Sequence, residues 1–165
     1  MQKIDCVTTK FVIHYLKGDF FMKEVSFVMV KPEFANYPEV IEEIKKRIVG
    51  AGLEIKEESY VTYDKESAEA HYAEHKEKSF FGELVDYLAS DKSYAMIIEG
   101  ENAISAFRAL VLKDKAAGLQ AGDIRYDIPK MLGQELDITK NVVHASDKPE
   151  SAEREIAIYK NALAK

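Results

Sequence analysis

Cysteine is almost absent from this chain. The single Cys6 excludes an intramolecular disulfide and any cysteine-rich metal site, and it fits a reducing, cytoplasmic setting. Cations are in the minority: 23 Lys and Arg against 29 Asp and Glu leave a net charge of −6 and a pI near 5.3. That balance argues against a specific nucleic-acid partner, which needs clustered Lys and Arg against the phosphate backbone. A small anion needs only a few local cations, so it stays open. No apolar run approaches the roughly 20 residues of a membrane helix, so no membrane partner is expected. The best signal-peptide candidate, Phe11 to Leu16, is short, contains His14 and lacks a small-residue cleavage site. Internal repeats and low-complexity segments are missing too.

What remains is an ordinary globular composition, 47% hydrophobic and 32% charged over 165 residues, enough for one domain with a proper core. Residues 1–21 read as an N-terminal appendage and residues 22–165 as the domain. Met22 opens a strand directly, which makes it the expected native start.

Along the domain, Glu24 to Lys31 is mostly apolar and reads as a first strand that ends at a lysine followed by Pro32. Val40, Ile41, Ile44 and Ile48 recur at helical spacing from about Pro38, and Gly50 and Gly52 close that helix. Leu53 to Tyr63 reads as a second strand. Asp64 is a good N-cap for a helix through His71 and Tyr72, and Ser79 for an adjacent one with Phe81, Leu84, Val85 and Leu88 inward. Ser93 to Ile98 reads as a third strand, and Asn102 as the cap of a helix burying Ile104, Phe107 and Val111. Lys113 to Lys140 shows no clear period and reads as a long, mainly irregular segment, a kind usually tied to function. A fourth strand ends at His144, and a last helix starts near Pro149. Alternating strands and helices predict an α/β (α+β sandwich) domain. The expected form is ferredoxin-like βαββαβ, with four antiparallel strands, helices on one side of them and further helices added.

Each chemistry-bearing residue, taken singly, has an ordinary explanation. An end-of-strand lysine is commonly solvated, a loop arginine exposed, an aromatic buried in the core, a histidine structural. Their order is more specific. Lys31-Pro32 is followed by His71-Tyr72, Phe80-Phe81, Arg108 and Arg125, and then by Asn141-Val142-Val143-His144-Ala145-Ser146-Asp147 and Ser151-Ala152-Glu153-Arg154-Glu155-Ile156. Together with Val28 to Pro32 and the Gly122 to Arg125 turn, this series resembles the nucleoside diphosphate kinase family from about Val25 to Tyr159.

The resemblance implies a ping-pong transfer of the terminal phosphate of a nucleoside triphosphate to a nucleoside diphosphate. Splitting the reaction through a covalent intermediate lets one site serve both substrates. It implies His144 as the phosphate-accepting nucleophile and Glu155 as the carboxylate that orients its ring. Lys31, Arg108 and Arg125 match phosphate-binding cations, the groups that phosphoryl transfer calls for. Tyr72 matches a position near the phosphates, Phe80 the ring on which the base stacks, Leu84 its apolar neighbour and Asn141 a ribose contact. Mg²⁺ is expected to arrive on the nucleotide phosphates rather than in a protein cage, and a homo-oligomer is expected.

The chain departs from the family in the segment between the arginines and the histidine. Asp114 stands where a threonine is usual, so it is kept as a candidate binding position with Lys113 and Lys115 as possible replacements. Ala116-Ala117 replaces the usual proline, Tyr126 and Ala145 replace glycines, and residues 128–139 lengthen the loop. These changes motivate an alternative: a nucleotide-binding or assembly subunit of the same fold with weakened catalysis.

Overall fold

The computed structural model describes residues 23–136 and 141–165. The expected appendage, the start at Met22 and the last part of the lengthened loop lie outside the described residues. Four strands, β1 (Lys23–Val30), β2 (Glu54–Val61), β3 (Ser93–Glu101) and β4 (Val143–Ala145), form one sheet in the order β2-β3-β1-β4. Every neighbouring pair is antiparallel, with Phe27 opposite Ile97 and Met29 opposite His144. This is the ferredoxin-like arrangement.

The helices are α1 (Pro32–Ala35), α2 (Pro38–Gly50), α3 (Lys65–His71), α4 (Phe81–Leu88), α5 (Ala103–Val111), α6 (Ile124–Met131) and α7 (Pro149–Leu163). They do not lie on one side of the sheet. β1 is central and buried on both faces, which is why its apolar run does not alternate with polar residues. Val28 and Val30 join one core with Ile44 and Ile48 of α2 and Phe107 of α5. Phe27 and Met29 point the other way, into a core with Ala68 of α3, Leu88 of α4 and Tyr159 of α7. Each fully buried side chain of this size contributes about 1.5–3 kcal/mol, so both layers are well founded. The edge strand β2 keeps Glu54, Lys56, Glu57 and Glu58 exposed, a charged rim that discourages pairing with a further strand.

Several local expectations need correcting. Asp64 does cap α3, its Oδ1 accepting the Ser67 N–H at 2.8 Å. Ser79 caps nothing, because the position before α4 is Phe80. Asn102 stands at the N-cap of α5 but has φ of 50° and no capping side-chain bond. The donor of Ile104 is instead met by Glu24 Oε2, reaching across from β1 at 2.9 Å, a partner no local reading could supply. The segment read as irregular holds α6, with Pro129 inside it and Gly133 just beyond. Those two residues hide a helix whose buried residues are Ile124, Ile128 and Pro129 itself. Finally, β4 does not end at His144, which lies in its middle. Among the described residues no helix is long and apolar enough to cross a membrane.

Candidate active site

The site is built where the C-terminal end of β1 meets β4, α5, α6 and α7. Pairing of Met29 with His144 puts the histidine on the sheet face covered by α3, α4 and α7. Its Nε2 lies 2.9 Å from Glu155 Oε1, at ion-pair distance but off the axis of a linear N–H hydrogen bond. Glu155 is itself 2% exposed and is fixed from behind. Its Oε2 accepts the Ser146 hydroxyl at 2.6 Å, and Ser146 Oγ in turn accepts the Phe27 N–H at 3.0 Å. The chain Phe27–Ser146–Glu155–His144 thus ties the imidazole to the central strand. Second-layer bonds of this kind set ring orientation and tautomer.

The other side of the ring is packed by His71, edge-on with centroids 4.6 Å apart. His71 is buried, and that burial, reinforced by the neighbouring His144, lowers its proton affinity well below the ordinary histidine value. A neutral ring is therefore set against the candidate nucleophile.

In front of His144 opens a cavity of about 540 Å³, within the range of small-molecule sites. Lys31, Arg108 and Arg125 all line it. Lys31 is placed by its backbone, whose N–H donates to Val142 O at 3.1 Å. Its ammonium is nearly buried, and desolvation, followed by repulsion from Arg125, brings its pKa down from 10.5 to about 8. Arg125 is also lowered, first by burial and then by Arg108. Its Nε has no hydrogen-bond partner among the described residues. These cations disfavour one another, and an anion in the cavity would relieve the strain.

Tyr72, Phe80, Leu84 and Asn141 line the same cavity. Tyr72 is buried, with its hydroxyl unpartnered among the described residues. Burial, then Tyr87, pushes its pKa up to about 12. Phe80 is 44% exposed at the mouth, one helical turn before Leu84. A ring that far out of the core is available to stack on a flat ligand.

Asp114 does not join them. Its Oδ1 accepts the Ala116 N–H at 2.9 Å, turning the carboxylate back onto its own loop, and it is not part of the cavity wall, whereas Lys115 is. Ser146 is the residue whose role the sequence reading missed; the motif that contains it was the signal. Of the two lysines weighed as replacements for Asp114, Lys115 lines the cavity and Lys113 does not; His75 also lines it without having been singled out as a binding residue.

The fold is a ferredoxin-like α+β domain, and its cavity sets Lys31, Arg108 and Arg125 in front of a histidine paired with a buried carboxylate. The family model described as nucleoside diphosphate kinase matches residues 24–162. The nucleoside diphosphate kinase of Archaeoglobus fulgidus is 44% identical over 136 residues, covering 82% of this chain and 85% of the relative. That of Corynebacterium jeikeium is 44% identical over 142 residues, 84% of this chain and 97% of the relative. Among solved structures, the Aquifex aeolicus nucleoside diphosphate kinase aligns with a TM-score of 0.70 and 32% identity, covering 82% of this chain and 94% of that one. The Encephalitozoon cuniculi enzyme, in its apo cubic form, aligns with a TM-score of 0.69 at the same 32% identity, covering 82% and 88%. The chain belongs to the nucleoside diphosphate kinase family and is an enzyme with that phosphotransferase activity.

Proposed function

We propose that the enzyme works in two half-reactions through a phosphohistidine at His144. Glu155 engages Nε2, which leaves Nδ1 as the attacking atom. The Nδ1 lone pair forms a bond to the terminal phosphorus of a nucleoside triphosphate. The bond to the bridging oxygen breaks, and the nucleoside diphosphate leaves with that electron pair. The ring becomes a cation, which the Glu155 carboxylate stabilises. A second diphosphate then enters, its terminal oxygen attacks phosphorus, and the N–P pair returns to the imidazole. Separating the halves requires that one cavity hold both nucleotides in turn.

Lys31, Arg108 and Arg125 hold the phosphates and take up charge that spreads onto the equatorial oxygens. Tyr72 bounds the phosphate end, Asn141 the ribose, and Phe80 with Leu84 the base. Stacking tolerates any base, which suits an enzyme serving several nucleotides. Of the three carboxylates in the wall among the described residues, Glu155 is committed to His144 and Ser146, Asp147 is held by the Ser151 hydroxyl, and Glu74 stands alone on the exposed side. The donor set therefore fits an anion that brings its own Mg²⁺, carried by phosphate oxygens and water. When bound in that way, the metal offsets charge on the transferred group. A homo-oligomer working in the cytoplasm belongs to the same reading, supported by the family and by the single Cys6.

The observation that carries the proposal is the Ser146–Glu155–His144 relay facing mutually repelling cations. The alternative of weakened catalysis was motivated by a carboxylate at position 114 together with the altered loop; of these, the carboxylate is bonded back onto its own loop at Ala116. The test is incubation with γ-labelled ATP and Mg²⁺, followed by a chase with a different nucleoside diphosphate. We expect an acid-labile, base-stable phosphoprotein that the chase discharges and that His144→Gly abolishes. Label that persists in His144→Gly would end the proposal.

A further inference from the structure

The loop that leaves α5 and enters α6 carries two of the departures from the family pattern, Asp114 and Ala116-Ala117, and the structure shows how it is held. Asp123, 4% exposed, takes the Lys113 N–H on Oδ1 and the Gln120 N–H on Oδ2, both at 3.0 Å. One buried carboxylate thus clasps both ends of the segment between them. Behind it, Arg47 of α2 donates to Gly122 O at 3.0 Å and pairs with Asp127 at 2.8 Å, and Asp127 Oδ1 accepts the Gly122 N–H at 3.1 Å. The return of the loop is fixed. Its tip, with Lys115, is exposed.

Within that clasped segment the Asp114 side chain bends onto Ala116 N–H. Lys115 is the residue that reaches the wall of the cavity, beside Arg108 and Arg125, while Lys113 does not line it. We propose that Lys115 is a fourth phosphate-binding cation, which supplies by charge what a hydroxyl supplies elsewhere in the family. This assignment rests on the reading of the cavity as a nucleotide site.

A lysine differs from a hydroxyl in ways that can be measured. It adds a full charge, so its contribution falls with ionic strength. It is a flexible point charge rather than a rigid fork, and it stands at the exposed rim. Its effect therefore belongs to nucleotide capture, and not to the chemical step at His144. Rim charges characteristically change encounter and salt dependence.

The test is equilibrium titration of the whole protein with Mg·ADP, which the unphosphorylated enzyme binds without reacting. At low salt, Lys115→Ala should weaken binding about three- to tenfold, an effect typical of a partly solvated charge-assisted contact. Lys115→Arg should retain most of the affinity. Lys113→Ala removes the same net charge two residues back along the loop, at a position that does not line the cavity, and should leave the dissociation constant unchanged. Raising the salt should shrink the Lys115→Ala difference, and in steady state KM should rise with kcat within about twofold. Equal affinities for Lys115→Ala and wild type at low salt would overturn the proposal. So would equal losses in Lys113→Ala and Lys115→Ala, since that would report only the field of the whole loop. A wild-type protein that binds Mg·ADP through Lys115 but forms no phosphoprotein would refute the phosphohistidine reading and leave this one standing.

Discussion

Replacing Lys31 with Met should make the free protein more stable while damaging its function. Lys31 is 7% exposed, and burial, with a smaller contribution from Arg125, lowers its pKa from 10.5 to about 8. Each tenfold loss of proton affinity is worth about 1.4 kcal/mol. Holding the charge in the folded state at neutral pH therefore costs on the order of 3 kcal/mol, a sizeable part of a typical domain's stability. Methionine has nearly the same shape and no charge, so it escapes that cost. The pH dependence fixes the origin. Between pH 8 and 10.5 the folded protein has lost the Lys31 proton and the unfolded chain still holds it. The wild type must then gain stability as pH rises through that window, relative to Lys31→Met. Below pH 8 the full difference is present, and above 10.5 it vanishes. Urea unfolding of both proteins from pH 7 to 11 measures it, with other titrations cancelling in the difference. A variant no more stable at pH 7, or a gap that stays flat across the window, would refute the reasoning. Addition of Mg·ADP should stabilise the wild type by more than the variant, because the nucleotide binds the state that the buried charge has prepared.

Two further substitutions address the relay and the mouth of the cavity. Ser146→Ala removes the hydroxyl that donates to Glu155 at 2.6 Å; it should cost about 1.5–3 kcal/mol of stability and slow phosphoprotein formation, read by denaturation and by rapid labelling. Unchanged values in both would mean that Glu155 needs no anchor. Phe80→Ala, at a ring 44% exposed in the free protein, should barely alter stability but should weaken Mg·ADP and Mg·GDP binding alike by about 1–3 kcal/mol. An effect on one base only would argue for a specific contact in place of stacking.

Much of the fold was legible because its signals are local. The stripe from Val40 to Ile48 and the cap at Asp64 each rest on residues within a few positions of one another, and the structure keeps both. Elements failed where their partner is distant. The donor at the start of α5 is met by Glu24, 80 residues away in sequence. The shortness of α6 and its internal Pro129 left too few periodic positions to read. The side of the sheet taken by each helix depends on which face of β1 it covers, and a strand buried on both faces gives no alternation from which to infer it.

The sequence by itself determined which chemical groups are available and in what order. The spacing of Lys31, Tyr72, Phe80, Arg108, Arg125, Asn141, His144 and Glu155 was enough to mark the family before any coordinate was known. Only the tertiary structure decided what those groups do to one another. It set Glu155 between Ser146 and His144, packed neutral His71 against the ring, and buried Lys31 beside Arg125 and Arg125 beside Arg108, which lowers the proton affinity of Lys31 and of Arg125. It also turned Asp114 out of the cavity and Lys115 into its wall. The reason is physical. Charge, desolvation and hydrogen bonding act through space over a few ångströms, and neighbours at that range are set by the packing of seven helices on the two faces of the sheet among the described residues.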